Sequence, residues 1–413
     1  MKKATAIIGM NFGDEGKGHI VNFLSDTNTL NIRFNGGAQA AHAVSLSDGR
    51  SHLFKHFGAG SLRGARTLLA SHFIVNPIFF ATEWENLNKV APLREIFIDP
   101  RCRVTTIWDM LINEFASAYK KKNDTTGMGI NETIERSQFK QLRNTMRDLI
   151  DKDRKTLLSI LDSIKTQYIP WRLDKLLLPY DAFRYHCDQR ILDIKQTENT
   201  FMDTIEGMLK CVMVWPDSNL IDRYLAKDKE RHLVFEGAQG LRLDQNRKEL
   251  MPYLTRSNTG LQNVFHCLKT VRTDLELDVY LVTRTYLTRH GDGPVWNEVK
   301  QVYDGVEDAT NAENSYQGKM RYGYLNKSWY DLAINETEKY IKSHLPECVK
   351  KINLHTAFTC LDQSGEEIIY TTDGSGEFIT GEIDDFRNVK IVSEGNKETD
   401  CFFIRINYEK IQR

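Results

Sequence analysis

Short apolar runs of strand length recur along the chain, and glycine-rich turns follow several of them. Residues 4–9 form the first run. Ile20, Val21, Phe23 and Leu24 then place apolar side chains at helical spacing. This pattern predicts a strand, a glycine-rich turn and a helix in succession. Three later runs predict further strands, at residues 30–34, 233–235 and 277–283.

The middle of the chain has a helical pattern instead. Ile107, Leu111, Phe115 and Tyr119 recur every fourth residue, as on the apolar face of an amphipathic helix. Apolar residues continue at similar spacing through residues 138–230, with charges between them. We therefore expect this region to be mostly helical, with its charged positions on solvated faces.

The first turn carries residues suited to phosphate. Gly13, Gly16 and Gly18 allow a close backbone approach, and a helix N-terminus offers free N–H groups to an anion. Gly16-Lys17 matches part of the Walker A motif, but Gly18 stands where that motif has a hydroxyl residue for Mg²⁺. Such a loop alone is a weak indication, and an ordinary glycine-rich turn is the alternative.

The same turn also contains two acids, which an ordinary phosphate-binding turn would not favour. Asp14 and Glu15 would repel a phosphate unless a metal lies between them or one of them handles a proton. A second glycine turn, Gly36-Gly37, follows the strand at 30–34 and leads through small residues to His42. A histidine there can hydrogen-bond or protonate a phosphoryl oxygen near neutral pH, although a structural role is the alternative.

Composition limits which partners the protein can bind and in which cell compartment it is expected. The formal net charge of the 413 residues is −1, which provides no strong basic field for nucleic acid. No apolar run has the length that a membrane span needs. The seven cysteines are scattered, which indicates reduced thiols in a cytoplasmic protein without a zinc site. The N-terminus leads directly into the first strand, so we expect no export signal.

These turns resemble those of the adenylosuccinate synthetase family. Gly-Asp-Glu-Gly-Lys-Gly at 13–18, followed by a Gly-Gly loop ending in His42, is similar to the family's N-terminal motifs. Residues 236–240 are identical to the family's Glu-Gly-Ala-Gln-Gly. Similar segments follow the family order at residues 125–130, 252–259 and 286–294.

The resemblance implies an α/β fold with a large, mostly parallel central sheet and a P-loop-like N-terminal turn. It implies one domain over residues 1–413, with a helical insertion at about 104–230 and a sheet-completing part at about 343–413. The implied reaction joins L-aspartate to C6 of a 6-oxopurine nucleoside monophosphate, with hydrolysis of GTP or ATP and with Mg²⁺ as cofactor. A homodimer is also implied.

The resemblance assigns roles residue by residue. The implied catalytic residues are Asp14, Lys17, His42 and Gln239, and Mg²⁺ would be bound by Asp14 and Ala41. The implied nucleotide-binding residues are Gly13, Glu15, Gly16, Gly18, Gln39, Thr125, Thr126, Lys140, Thr255 and Arg289. Lys140 stands by spacing where the family has an arginine that crosses the dimer interface, and Arg136 and Arg143 are neighbouring candidates.

Three segments depart from the family pattern. Met128 replaces an arginine in the 125–130 turn. In the aspartate-binding loop, Lys319 and Arg321 occupy two of the family's arginine positions, and the threonine pair is lost. The resemblance also places the family's guanine-reading Thr-Lys-Leu-Asp segment at residues 352–358, where no aspartate follows. A weakened preference for GTP is therefore expected.

These departures leave the substrates open. IMP is the first expectation for the acceptor. Phage relatives that make 2-aminoadenylosuccinate from dGMP with ATP or dATP are the alternative, although the retained Asp14 argues against them. A non-catalytic purine-nucleotide sensor is the alternative of another class. The retained Lys17, His42 and Gln239 oppose that sensor, because a protein that only binds nucleotide needs no such set.

Overall fold

The computed structural model describes residues 1–120, 126–190, 194–215, 219–303, 306, 319–365, 367–372, 378–395 and 397–404. Its strands, in chain order, are β1 (Lys2–Gly9), β2 (Thr29–Arg33), β3 (His42–Ser45), β4 (Ser51–Phe54), β5 (Arg66–Leu69), β6 (Ile74–Val75), β7 (Ile96–Ile98), β8 (Arg103–Val104), β9 (Met213–Val214), β10 (His232–Gly240), β11 (Leu275–Arg284), β12 (Tyr286–Arg289), β13 (Glu298–Val299), β14 (Arg321–Asn326), β15 (Val349–Thr359), β16 (Ile368–Thr371), β17 (Ile379–Gly381), β18 (Val389–Ser393) and β19 (Cys401–Phe403).

The helices, in chain order, are α1 (Lys17–Phe23), α2 (Pro77–Val90), α3 (Ile107–Lys120), α4 (Ile130–Arg136), α5 (Met146–Asp151), α6 (Arg154–Ser163), α7 (Ile169–Leu176), α8 (Tyr180–Arg190), α9 (Ile194–Cys211), α10 (Leu220–Ala226), α11 (Leu261–Leu268), α12 (Lys327–His344) and α13 (Leu361–Ser364). Within the described residues, none of them is both long and apolar enough to cross a membrane.

A ten-stranded sheet forms the centre of the protein, in the order β19-β18-β15-β11-β1-β10-β2-β5-β7-β9. Among these described strands every neighbouring pair is parallel except β18 with β19. A smaller sheet contains β12, β13, β14, β16 and β17. The prediction of an α/β fold with a large, mostly parallel sheet is confirmed.

Apolar side chains on the two faces of the large sheet build two cores. Alternate residues of β1 point to opposite faces, so that Ile7 lies in one core while Ala6 and Ile8 lie in the other. The run of buried residues in β1 is what a central parallel strand requires, because helices cover both of its faces.

Strand β2 is more buried than its alternating sequence suggests. Asn31 and Arg33 are fully buried together with the apolar residues between and beside them. The Asn31 side chain accepts from the Gly60 N–H at 2.9 Å and donates to Ser25 Oγ at 3.1 Å. Burial of these polar groups is tolerated because each has a partner inside the protein.

The region predicted to be helical and the C-terminal part each agree with the prediction only in part. Helices α3 to α10 lie within the range predicted to be helical, but β9 interrupts them and extends the large sheet at one edge. In the C-terminal part, β15, β18 and β19 join the large sheet as expected, whereas β16 and β17 belong to the smaller sheet. The division into one domain with an insertion stays a prediction.

Candidate functional site

The turn between β1 and α1 is built on glycines in left-handed conformations. Gly13 and Gly16 have φ of 103° and 79°, which favour glycine. Glu15 folds back into this turn, where its Oε1 accepts from the N–H groups of Asn11 and Gly13 at 3.0 and 2.9 Å. Its Oε2 holds the Lys17 ammonium at 2.6 Å. Glu15 and Lys17 are both buried, so the turn carries a lysine that is held in a buried ion pair.

Asp14 differs from its neighbour Glu15. Its φ of 59° is unusual for a residue other than glycine, and its carbonyl oxygen accepts from Arg284 Nε at 2.5 Å. In the described part of the chain, no hydrogen bond or ion pair uses the Asp14 carboxylate. The strained backbone therefore presents an uncommitted carboxylate at the mouth of the turn.

This carboxylate also fits the predicted Mg²⁺ site. Mg²⁺ prefers oxygen ligands and usually keeps several waters and substrate phosphates, so one or two protein oxygens suffice. The Asp14 carboxylate and the Ala41 carbonyl are both oxygen donors, and within the described residues neither is engaged by another group. No group of three or more metal-ligating side chains occurs among the described residues. Any ion here would depend on the bound nucleotide for its other ligands.

His42 is held by a buried chain of charged groups. Its Nδ1 donates to Glu236 Oε1 at 2.5 Å, and Glu236 Oε2 accepts from the Ala59 N–H at 2.9 Å. The Arg33 guanidinium lies 3.7 Å from Glu236 Oε1. Because Nδ1 carries the proton, the opposite ring nitrogen, Nε2, is the one left for other partners. A Cβ atom on Gly18 would lie 2.5 Å from His42 Cβ, so the imidazole packs directly on the first turn of α1.

Burial and charge set the protonation of this pair. Burial is the largest influence on the pKa of His42 and lowers it; Arg33 and Lys17 lower it further, against the opposing effect of Glu236. Burial alone would raise the pKa of Glu236, but Arg33 and His42 outweigh it and the pKa falls below its ordinary value. At pH 7 the free protein therefore has a neutral His42 bound to an ionised Glu236.

Two glutamine side chains near these turns each have a buried oxygen without a partner in the described residues. They are Gln239 Oε1 and Gln39 Oε1. Gln239 also has a positive φ of 62°, at the end of β10. Buried polar atoms are normally hydrogen-bonded, so these two oxygens mark positions where a ligand can supply the donors.

The predicted phosphate-binding turns lie side by side. Asn35 exchanges hydrogen bonds with the backbone of Ala238, at 2.8 and 3.1 Å, and reaches Ser257 Oγ at 3.3 Å. A Cβ atom on Gly37 would lie 2.7 Å from Ile130, the first residue of α4. These contacts bring together the segments that contain Gln39, Thr126, Gln239 and Thr255. Thr125 lies outside the described residues.

Two arginines predicted to bind ligands have protein partners in this structure. Arg289 is buried against the Phe12 ring and donates to the carbonyls of Asp292, Pro294 and Tyr253 at 3.0–3.1 Å. Arg321 forms a two-pronged ion pair with Glu298, at 2.7 and 2.5 Å. Lys319 is exposed and also has a contact in the structure. The roles of these residues in ligand binding stay predictions.

The candidates for the interface-crossing residue differ in exposure. Arg136 is fully buried and is bound by Asp109 at 2.8 Å through two of its nitrogens, so it cannot reach another subunit. Lys140 and Arg143 are exposed. Burial therefore leaves these two as candidates.

One carboxylate, shortly after the strand end that contacts the phosphate turn, was missed. Strand β15 continues to Thr359, past the 352–358 segment, and the chain then turns through Cys360 and Leu361 to Asp362. Thr359-Cys360-Leu361-Asp362 matches three of the four residues of Thr-Lys-Leu-Asp, so the sequence prediction placed that segment too early. Thr359 Oγ1 donates to the Glu15 carbonyl at 2.9 Å, which fixes the strand end against the phosphate turn. Burial raises the pKa of Asp362.

Fold and site together define a class. Phosphate-compatible turns, an available carboxylate and a buried histidine–carboxylate pair gather at the carboxyl ends of neighbouring parallel strands, where open α/β sheets bind nucleotides. The protein is thus an α/β protein whose turns at this edge have the features of a nucleotide site. More narrowly, residues 6–373 match the family model of adenylosuccinate synthetase, and the chain belongs to that family of C–N-bond-forming ligases.

Individual relatives agree with this assignment. The adenylosuccinate synthetase of Thermoplasma acidophilum is 28% identical over 304 residues, which cover 72% of this chain and 64% of that protein. The Thermoplasma volcanium enzyme is 26% identical over 383 residues, covering 89% and 81%.

Two solved structures share the fold. Fully ligated adenylosuccinate synthetase from Plasmodium falciparum aligns with a TM-score of 0.67 at 18% identity, over 97% of this chain and 99% of that one. The cyanophage S-2L succinoaminodeoxyadenylate synthetase, bound to dGMP and dATP, aligns with a TM-score of 0.57 at 14% identity, over 100% and 98%.

Proposed function

We propose that this protein joins L-aspartate to C6 of a 6-oxopurine nucleoside monophosphate, with IMP as the acceptor, through a 6-phosphoryl intermediate. The observation that carries the proposal is the Asp14 carboxylate, which has no partner among the described residues and lies in the turn of Lys17 and of Gly18, on which His42 packs. A protein that only binds nucleotide has no need of an unpaired carboxylate on a strained backbone beside a phosphate site. This argues against the sensor hypothesis.

Each group has a task in this mechanism. Asp14 accepts the N1 proton of the purine, and the 6-oxygen becomes nucleophilic and attacks the γ-phosphorus as the nucleoside diphosphate leaves. Lys17 and His42 neutralise the charge of the transferring phosphoryl group. Mg²⁺, held by the Asp14 carboxylate and the Ala41 carbonyl, would supply further charge neutralisation. The aspartate amine then adds to C6, and the C6–O bond breaks to release phosphate. The side-chain NH₂ group of Gln239 donates to the 6-oxygen and holds it in place.

GTP is the proposed donor. A carboxylate accepts from the ring N–H and the amino group of guanine, neither of which adenine offers in the same arrangement. The hydroxyl of Thr359 is bound to the phosphate turn, and Asp362 follows three residues later. A nucleotide whose phosphates occupy that turn would therefore extend along the segment that contains Asp362. Cys360 stands where the family motif has lysine, which removes one cationic contact.

The test is phosphate release by the purified protein with L-aspartate and Mg²⁺. IMP, GMP and dGMP are each combined with GTP, ATP and dATP. Turnover with IMP and GTP supports the proposal. Turnover with dGMP and ATP or dATP would replace it by 2-aminoadenylosuccinate synthesis, and nucleotide binding without turnover in every combination would favour the sensor.

Two variants test the mechanism itself. Asp14→Ala and His42→Ala should each lower turnover by at least about a hundredfold, the usual scale for a proton-transfer group or an electrostatic stabiliser. Near-normal turnover of either variant would remove that group from the mechanism.

A further inference from the structure

Three arginines lie close together beside the turns predicted to hold the 5′-phosphate of the acceptor. Arg103 is on β8, Arg143 follows α4, and Arg256 comes directly after Thr255. The pKa of Arg103 is lowered, chiefly by burial and then by the charges of Arg143 and Arg256. Within the described residues, neither Arg103 nor Arg143 has a carboxylate partner. The surface here has an excess of positive charge.

Arg256 connects two of the predicted phosphate-binding segments. Its guanidinium donates to Asn131 Oδ1 at 3.3 Å and forms an ion pair with Glu135. Both partners are on α4, the helix that begins directly after the 126–129 turn. The next residue, Ser257, is bound by Asn35. Arg256 therefore reaches from the Thr255 segment across to the helix that follows Thr126.

This position explains two of the departures from the family pattern together. The family motif has arginine where this chain has Met128, and serine where this chain has Arg256. Compared with the family motif, the turn that contains Met128 has lost a positive charge, and the segment that contains Arg256 has gained one. Since a guanidinium can reach the same phosphate from either side of a site, the charge is moved rather than lost.

We infer that Arg256 binds the 5′-phosphate of the purine nucleoside monophosphate in place of the missing turn arginine, with Arg103 and Arg143 adding to the positive field. The inference rests on the proposed function. In the free protein Glu135 is the partner of Arg256. A phosphate dianion offers more charge and more acceptor oxygens than this half-exposed carboxylate, so the guanidinium exchanges one partner for the other when the nucleotide binds.

The experiment measures the affinity for IMP, and for dGMP in parallel, by calorimetry on the full-length protein. Arg256→Ala should weaken binding by at least about tenfold, the scale of one charge-assisted hydrogen bond. Arg256→Lys should recover part of the loss. The matched control is Arg154→Ala, because Arg154 is a partly exposed arginine that also pairs with two acids, Asp203 and Glu206 on α9. It should leave both affinities unchanged.

Glu135→Gln separates ligand binding from a structural ion pair. If Arg256 serves the phosphate, removing the charge of Glu135 leaves nucleotide affinity unchanged or raises it. Unchanged affinity in Arg256→Ala, or an equal loss in Arg256→Ala and Glu135→Gln, would overturn the inference. If the unsubstituted protein binds neither nucleotide, the proposed function fails and the inference fails with it. Binding that is insensitive to Arg256 overturns the inference alone.

Discussion

Substitution of Glu236 gives the most direct test of the buried charged side chains that hold His42 in place. Its carboxylate is fully buried, accepts from His42 and the Ala59 N–H, and forms an ion pair with Arg33. In Glu236→Gln the Arg33 guanidinium stays buried without a counter-charge. The new amide nitrogen also faces a donor, either His42 Nδ1–H or the Ala59 N–H. Both effects destabilise the folded state.

The magnitude follows from what Arg33 retains. Removing one partner of a buried ion pair costs about 3–5 kcal/mol. Arg33 still donates to the carbonyls of Phe57 and Ala40, at 3.0 and 3.3 Å, and lies over the Phe73 ring. These contacts place the expected loss at the lower end, about 3 kcal/mol. Turnover should fall by about a hundredfold as well, because His42 loses its orienting partner.

Glu83→Gln is the matched control. Glu83 is also buried and bound to a histidine, His56, at 3.1 Å, and it accepts from the N–H groups of Lys55, His56 and Phe57. His52 and His56 hold its pKa at about 2 despite burial. Its variant should lose about 1–3 kcal/mol through unpaired donors, with turnover changed by only a few-fold, because it does not touch His42.

Equilibrium urea unfolding and phosphate release measure the two effects. The reasoning fails if Glu236→Gln loses less than about 1 kcal/mol, the loss expected of an ordinary surface pair. It also fails if the two variants lose turnover equally, since the effect would then be one of general destabilisation.

Three further predictions concern the donor site. Asp362→Asn should reduce the preference for GTP over ATP by at least about tenfold in kcat/KM, since the amide no longer accepts two guanine donors; an unchanged ratio would exclude Asp362 as the base reader. Burial holds the pKa of His42 low in the free protein, and a bound triphosphate raises it, so donor binding should take up protons and weaken as pH rises. Calorimetry in buffers of different ionisation enthalpy detects this uptake, and His42→Asn should abolish it. Gly18→Ala should abolish activity by displacing His42, whereas Gly207→Ala, with open space around it, should be silent in the same assay.

The turns could be predicted from the sequence because their chemistry is local. Gly13, Gly16 and Gly18 and the 236–240 segment bring their own conformational requirements, and the structure places them next to each other. Residues 352–358 show the limit of that reasoning. Strand β15 has eleven residues with exposed, intermediate and buried positions in succession, so its pattern does not mark its end. The position of Asp362 depends on that end.

Ion pairs between distant residues were also beyond sequence reasoning. Arg321 meets Glu298, and Arg136 meets Asp109, across 23 and 27 residues of chain. No spacing rule connects such pairs, because the contact depends on how separate elements pack. A basic residue in a binding motif therefore cannot be assigned to a ligand until its protein partners are known.

The position of β10 has a consequence for the order in which the chain becomes functional during synthesis. β10 lies between β1 and β2, so the phosphate turn and the loop leading to His42 do not share a direct strand pairing. The ribosome must deliver residue 240 before these two segments can be joined, which takes roughly 12–50 s at typical elongation rates. Until then the nascent chain exposes both edges that β10 will occupy. N-terminal fragments that end within α3 to α10 should therefore need chaperone protection and should not bind nucleotide.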